Sequence, residues 1–136
     1  MANAAAKMFI AQLEAENIRY KFNDSATVLV SWNLEGTDLD VYFEFGEDCE
    51  DVHVEGRDFC KVPEGKEDCL YKACNEMNKE YRWIKFDVDT SEHEIVGEVD
   101  AVIQLDSCAA ECMELMGRMN RIVSGAYPTF MKAMWT

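Results

Sequence analysis

Residues 69–89 read CLYKACNEMNKEYRWIKFDVD, and the period of their apolar residues changes part-way along. Leu70, Ala73, Met77 and Tyr81 recur at the spacing of one helix stripe. Ile84, Phe86 and Val88 then alternate with Lys85, Asp87 and Asp89, the period-2 pattern of a strand with one buried face. A stripe and a face joined this directly must each be covered, so helix packed on sheet is expected.

Upstream, Ala2–Glu16 reads as a helix with Ala5, Phe9 and Leu13 on one stripe, Met8 beside it, and Asn3 and Asn17 as candidate ends. Ile18–Asn23 is a short strand, closed by the turn-forming Asn23-Asp24-Ser25. Thr27–Asn33 presents Val28, Val30 and Trp32 to one face, and Leu39–Phe45 presents Val41, Phe43 and Phe45. Val52 and Val54 mark a further strand, whereas Arg57–Val62 keeps no single period. Pro63 opens the second helix or its approach.

Downstream, Ile84–Val88 and Glu94–Leu105 form a hairpin, with Lys85 opposite Asp100 and Asp87 opposite Glu98. Ser107 is the N-cap candidate for the last helix, which Gly125 and Pro128 are expected to interrupt. Helices are expected at about 4–16, 67–81 and 107–124. Short connections and clean alternation favour an antiparallel sheet with one solvated face. The fold class is α+β, a two-layer sandwich with helices on one face of the sheet, and residues 1–136 form a single domain.

The chain carries 13 basic and 27 acidic residues, a net charge of −14. Residues 35–68 hold much of it, thirteen acids against Arg57, Lys61 and Lys66. Such a field repels phosphate backbones and anionic membranes, so neither nucleic acid nor membrane is an expected partner. No run approaches the roughly 20 apolar residues of a membrane span, and the first residues lack the apolar segment of a secretory signal. A cytoplasmic location is expected. The six cysteines contain no CxxC, which favours reduced structural thiols over disulfides or zinc ligands.

Several motifs resemble the YbjN domain family in their order along the chain. They are Val62-Pro63 before the second helix, Asn75 and Asn78 within it, Ile84-Lys85-Phe86-Asp87 after it, and Ala126-Tyr127-Pro128 followed by Phe130-Met131. Members are labelled bacterial sensory transduction regulators and are built much like type III secretion chaperones. The resemblance therefore implies a chaperone-like fold that binds another polypeptide, commonly as a homodimer. It carries over no catalytic residue, and the Cys- and Met-rich last helix departs from the family pattern.

That helix is the strongest site-like feature of the chain. Cys108, Cys112, Leu115, Met119, Ile122 and Ala126 advance as a heptad-like seam suited to docking on a sheet. A second stripe, Met113, Met116, Asn120, Val123 and Tyr127, widens the apolar face beyond that need. Met113, Met116, Val123 and Tyr127 are therefore expected to form a self-association or client surface, with the seam facing the core.

Asp87, Asp89, Glu98 and Asp100 are the one grouping that hints at chemistry, and an exposed flat face is expected to leave their pKa values nearly unshifted. His53 and His93 lack metal-ligand spacing and read as surface residues. No catalytic residue, cofactor or metal site is expected. The favoured function is a non-enzymatic, chaperone-like protein-binding or regulatory module, expected to pair with itself as a homodimer and to bind a client polypeptide. One rival is a small enzyme or divalent-metal protein using the Asp87/Asp89/Glu98 face. Another is a redox-responsive protein using Cys108 or Cys112.

Overall fold

The computed structural model describes residues 2–23 and 25–135; Asp24, in the turn expected at 23–25, lies outside them. Among the described residues the element order is α1 (Ala4–Ala15), β1 (Lys21–Asn23), β2 (Thr27–Leu34), β3 (Thr37–Phe45), β4 (Asp51–Arg57), α2 (Glu67–Glu80), β5 (Lys85–Asp89), β6 (Glu94–Val102) and α3 (Cys108–Trp135). The strands form one antiparallel sheet in the order β1-β2-β3-β4-β6-β5. This is the α+β architecture expected from the alternating periods. α3 lies between α1 and α2 and touches both.

Both ends of α1 follow from asparagines. Asn3 accepts from the amides of Ala5 and Ala6 at 2.9 and 3.1 Å, satisfying donors with no partner in the helix. Asn17 has a left-handed φ of 59°, and the bonds Asn17 N–H to Glu14 and Ile18 N–H to Leu13 close the helix as a Schellman turn. The residues of unclear period after β4 turn at Asp58, whose φ is 68°. They then run beside the start of β6, where Ile95 donates to Cys60 and Val62 to His93, and Phe59, Cys60 and Val62 are buried.

Asn78 explains the motif on α2. β5 is an edge strand, so one side of it lacks a neighbouring strand. Asn78 Oδ1 accepts from Phe86 N–H at 2.7 Å and its amide donates to Phe86 C=O at 3.0 Å. One side chain thus replaces the missing ladder partner and closes the edge. Asn75 is exposed on the same helix.

The middle of the sheet is shaped for α3. Gly56 and Gly97 face each other across β4 and β6, and a Cβ at Gly56 would lie 2.8 Å from Met119 Sδ. Their missing side chains let Met119 sink between the strands, where it is fully buried. Phe59, Phe86 and Phe130 pack at one end, with Phe86 and Phe130 centroids 5.1 Å apart.

Three expectations are corrected. The hairpin register is displaced by two residues: Lys85 faces Glu98 and Asp87 faces Val96, because Asp89 accepts from Ser91 and Glu92 and starts a shorter loop. A two-residue slip preserves the faces, so Phe86 and Val88 still point inward. α3 also continues through Gly125 and Pro128. Ser124, Gly125 and Pro128 are exposed, so the carbonyl deprived of a donor by the proline is on the solvent side, while buried Val123, Ala126 and Phe130 hold the helix to the core.

The third correction concerns the second stripe. Met116 is 3% exposed and Val123 is fully buried, so neither belongs to a contact surface. α3 is flanked on both sides by helices as well as backed by the sheet, and more than one stripe is covered. Cys108, Cys112, Leu115, Met119 and Ala126 of the seam are buried as expected, with Ile122 partly so. Met113 and Tyr127 are half-buried at the margins, and Tyr127 donates to Gly36 C=O at 3.3 Å.

Candidate functional sites on the groove and the open sheet face

Two surfaces carry features that packing alone does not require. The first is an apolar groove of about 380 Å³ where the end of β6 meets the start of α3, lined by Trp83, Ala101, Val102 and Leu115. Val102 is 83% exposed and Trp83 53%. Trp83 has a φ of 78° and sits inside a tight turn in which Ile84 N–H donates to Arg82 C=O at 2.9 Å. That three-residue turn is a strained one for a bulky side chain, costing on the order of 1–3 kcal/mol. It holds the indole over the groove, with the Arg118 guanidinium 4.7 Å from the ring centroid.

The second surface is the sheet face opposite the helices. Alternation along β4 brings His53, Glu55 and Arg57 to it, and β6 adds Glu94, Glu98 and Asp100. His53 Nδ1 lies 2.6 Å from Asp100 Oδ1, and Nε2 lies 3.4 Å from both Glu55 Oε2 and Glu98 Oε1. Burial disfavours the charged ring, but the Asp100 hydrogen bond and charge outweigh it and raise the His53 pKa. Arg57 donates to Glu55 Oε1 at 2.9 Å and also reaches Asp89 and Glu94. Glu94 is 4% exposed, its other oxygen accepting from Asp58 N–H at 2.9 Å.

This face shifts carboxyl groups more than expected. A hydrogen bond with Asp87, then burial, raises Glu98 to about 7. A hydrogen bond with Asp40, then burial, raises Asp58 to about 6. Two carboxylates this close hold a proton between them, which an exposed flat face without such contacts does not do. Asp87 and Glu98 are therefore brought together as expected, although they are not register partners. Asp89 is drawn away to cap the hairpin loop, and the Ser91 hydroxyl lowers it to about 2. Asp100 pairs with His53 instead of joining the carboxylates.

Linear spacing concealed His53, because its partners are two residues along the strand and across to β6. The one signal was period-2 placement of His53, Glu55 and Arg57 on a single face. His93 is exposed, with φ 54°, in the hairpin loop. Cys108 and Cys112 are fully buried and burial raises both thiol pKa values, which removes the exposed, acidified thiol that the redox role required.

Residues 5–131 match the family model YbjN, "Putative bacterial sensory transduction regulator". The chain belongs to the YbjN family. The match spans nearly the whole chain and includes Asn78 and the α3 residues through Met131, so the edge closure and the helix layer both lie within the family's domain. No curated protein and no solved structure matches the chain. The family is described as a regulator, with no reaction attached. Among the described residues no helix is long and apolar enough to cross a membrane.

Proposed function

We propose that this YbjN domain is a non-enzymatic regulatory module that works by binding another polypeptide, with the Trp83 groove as its docking site. The strained presentation of Trp83 beside the exposed Val102 carries this proposal. An aromatic held in one orientation loses little freedom on binding, and tryptophan anchors are enriched among the residues that dominate interfaces. Leu105, also exposed, extends the apolar surface.

The partner that fits is a segment with an apolar anchor and basic flanks. Glu111 and Glu114 line the groove with Arg118, which pairs with Glu114 at 2.9 Å, so Glu111 is the excess charge there, and with a net charge of −14 over the chain a basic segment is steered in. A second copy would bring the same charge against itself. The homodimer that the resemblance to chaperone-like folds implies is the competing occupant of the groove.

Fluorescence anisotropy with a labelled Lys/Leu helical peptide, compared with a Glu/Leu peptide of the same apolar pattern, tests the proposal alongside light scattering. The basic peptide should bind, and Val102→Asp or Trp83→Ala should weaken it at least about tenfold. A dimer that Val102→Asp splits would assign the groove to a second copy. A monomer that binds neither peptide would sink the proposal.

A further inference from the structure

The open sheet face places an imidazole and two carboxylates where a transition-metal ion takes its ligands. Glu55 and Glu98 are register partners on β4 and β6, and His53 precedes Glu55 by two residues on the same face. One ligand atom from each lies within 4.8 Å of the others. His53 Nε2 is 3.4 Å from Glu55 Oε2 and 3.4 Å from Glu98 Oε1. Ligands at about 2.0–2.2 Å from a tetrahedral ion stand roughly 3.3–3.6 Å apart, so both imidazole–carboxylate separations already have the required size.

The surroundings of His53 and Glu55 point the same way, whereas Glu98 also has Asp87 at hydrogen-bond distance, a contact the ion must displace. Asp100 holds Nδ1 at 2.6 Å, so in the neutral ring Nδ1–H donates outward and the Nε2 lone pair faces the two carboxylates. Arg57 occupies Oε1 of Glu55 and leaves Oε2 for the ion. Lys85, the strand neighbour of Glu98, is engaged elsewhere, donating to Asn78 and Tyr81 carbonyls at 2.8 and 2.7 Å. Three partly buried donors leave a fourth position open to water. A nitrogen donor with so few oxygens suits a borderline ion such as zinc rather than calcium or magnesium, which need six or more oxygens, water included.

We propose that His53, Glu55 and Glu98 bind one divalent transition-metal ion of the zinc type, with Asp100 as the positioning residue for the imidazole. The site adjoins the Trp83 groove, since Trp83 also lines a hollow with His53, Lys85, Glu98 and Asp100, and none of its ligands is a thiol. It was invisible to spacing because its ligands come from two strands.

The test is titration of chelator-stripped protein with zinc chloride, read by calorimetry and by the imidazole signals in NMR. One ion per chain should bind at micromolar concentration or tighter and perturb His53 rather than His93. His53→Ala and Glu98→Gln should each weaken binding more than tenfold, and Asp100→Asn by about 10–100-fold. His93→Ala and the double change Cys49→Ser, Cys69→Ser, which removes the two partly exposed thiols, should leave it unchanged. Zinc should raise the melting temperature of the wild type and not of His53→Ala. Glu98→Gln supplies the same comparison if His53→Ala does not fold. Absence of saturable binding, undiminished binding in both ligand variants, or loss of binding in the cysteine variant would overturn the proposal.

Discussion

Asn78→Ala is the sharpest probe of how the sheet edge is closed. The substitution removes two hydrogen bonds, 2.7 and 3.0 Å, and leaves both backbone groups of Phe86 facing the underside of α2. Phe86 is 3% exposed, so these groups cannot simply be handed to bulk solvent. Each net hydrogen bond contributes about 1 kcal/mol, and an unsatisfied buried group costs about 1–3 kcal/mol. Partial hydration from the open side of the edge lowers the sum, which gives an expected loss of about 2–3 kcal/mol. Urea unfolding followed by circular dichroism should show a lower midpoint with an unchanged slope, since the surface exposed on unfolding stays the same. Asn75→Ala, on the exposed side of α2, should change stability by less than about 0.5 kcal/mol. An Asn78→Ala loss as small as the Asn75→Ala loss would refute the edge-closing role.

Met116→Glu should destabilise the fold by about 4 kcal/mol or more or abolish cooperative melting, because it buries a charge without a partner, whereas Met113→Glu should leave a folded chain. Gly97→Ala should cost about 1–3 kcal/mol in thermal melts, since its Cβ would lie 3.0 Å from Ile84 Cγ2 and 3.4 Å from Met119 Sδ. Glu98 and Asp58 have folded pKa values of about 7 and about 6, raised above their ordinary values. The folded state therefore holds more protons than the unfolded state, and their contribution is present at low pH and lost as pH rises through 6 and 7. The melting temperature should fall between about pH 5 and pH 7.5, and Glu98→Gln should flatten that fall.

The layers were legible because the period changes in the chain are abrupt. Helix becoming strand at 82–84 and strand patterns in 27–34 and 37–45 left little choice of architecture. Register was not legible to the residue, since two neighbouring registers put the same side chains inward and only the Asp89 loop bonds separate them. Nor could the apolar width of α3 reveal what covers it. The depth of its seat is set by Gly56 and Gly97, and its flanks by α1 and α2. The Trp83 turn was hidden too, as Arg82-Trp83 has none of the glycine or asparagine that marks a left-handed residue.

The position of α3 after all six strands has a consequence for synthesis. The sheet's aromatic face, including Phe43, Phe45, Phe59 and Phe86, precedes the helix residues Met119, Val123, Ala126 and Phe130 that seal it. At about 5–20 residues per second, the ribosome needs roughly 2–9 s to travel from Phe86 to Phe130. Throughout that interval the nascent sheet has only the partial cover of α1 and α2, and α1 waits for its long-range neighbour, as the contact between the Cys108 thiol and the Ala5 carbonyl shows. Folding of this domain is therefore completed after translation of its core strands, and a ribosome stalled before α3 would display a ready substrate for holding chaperones and proteases.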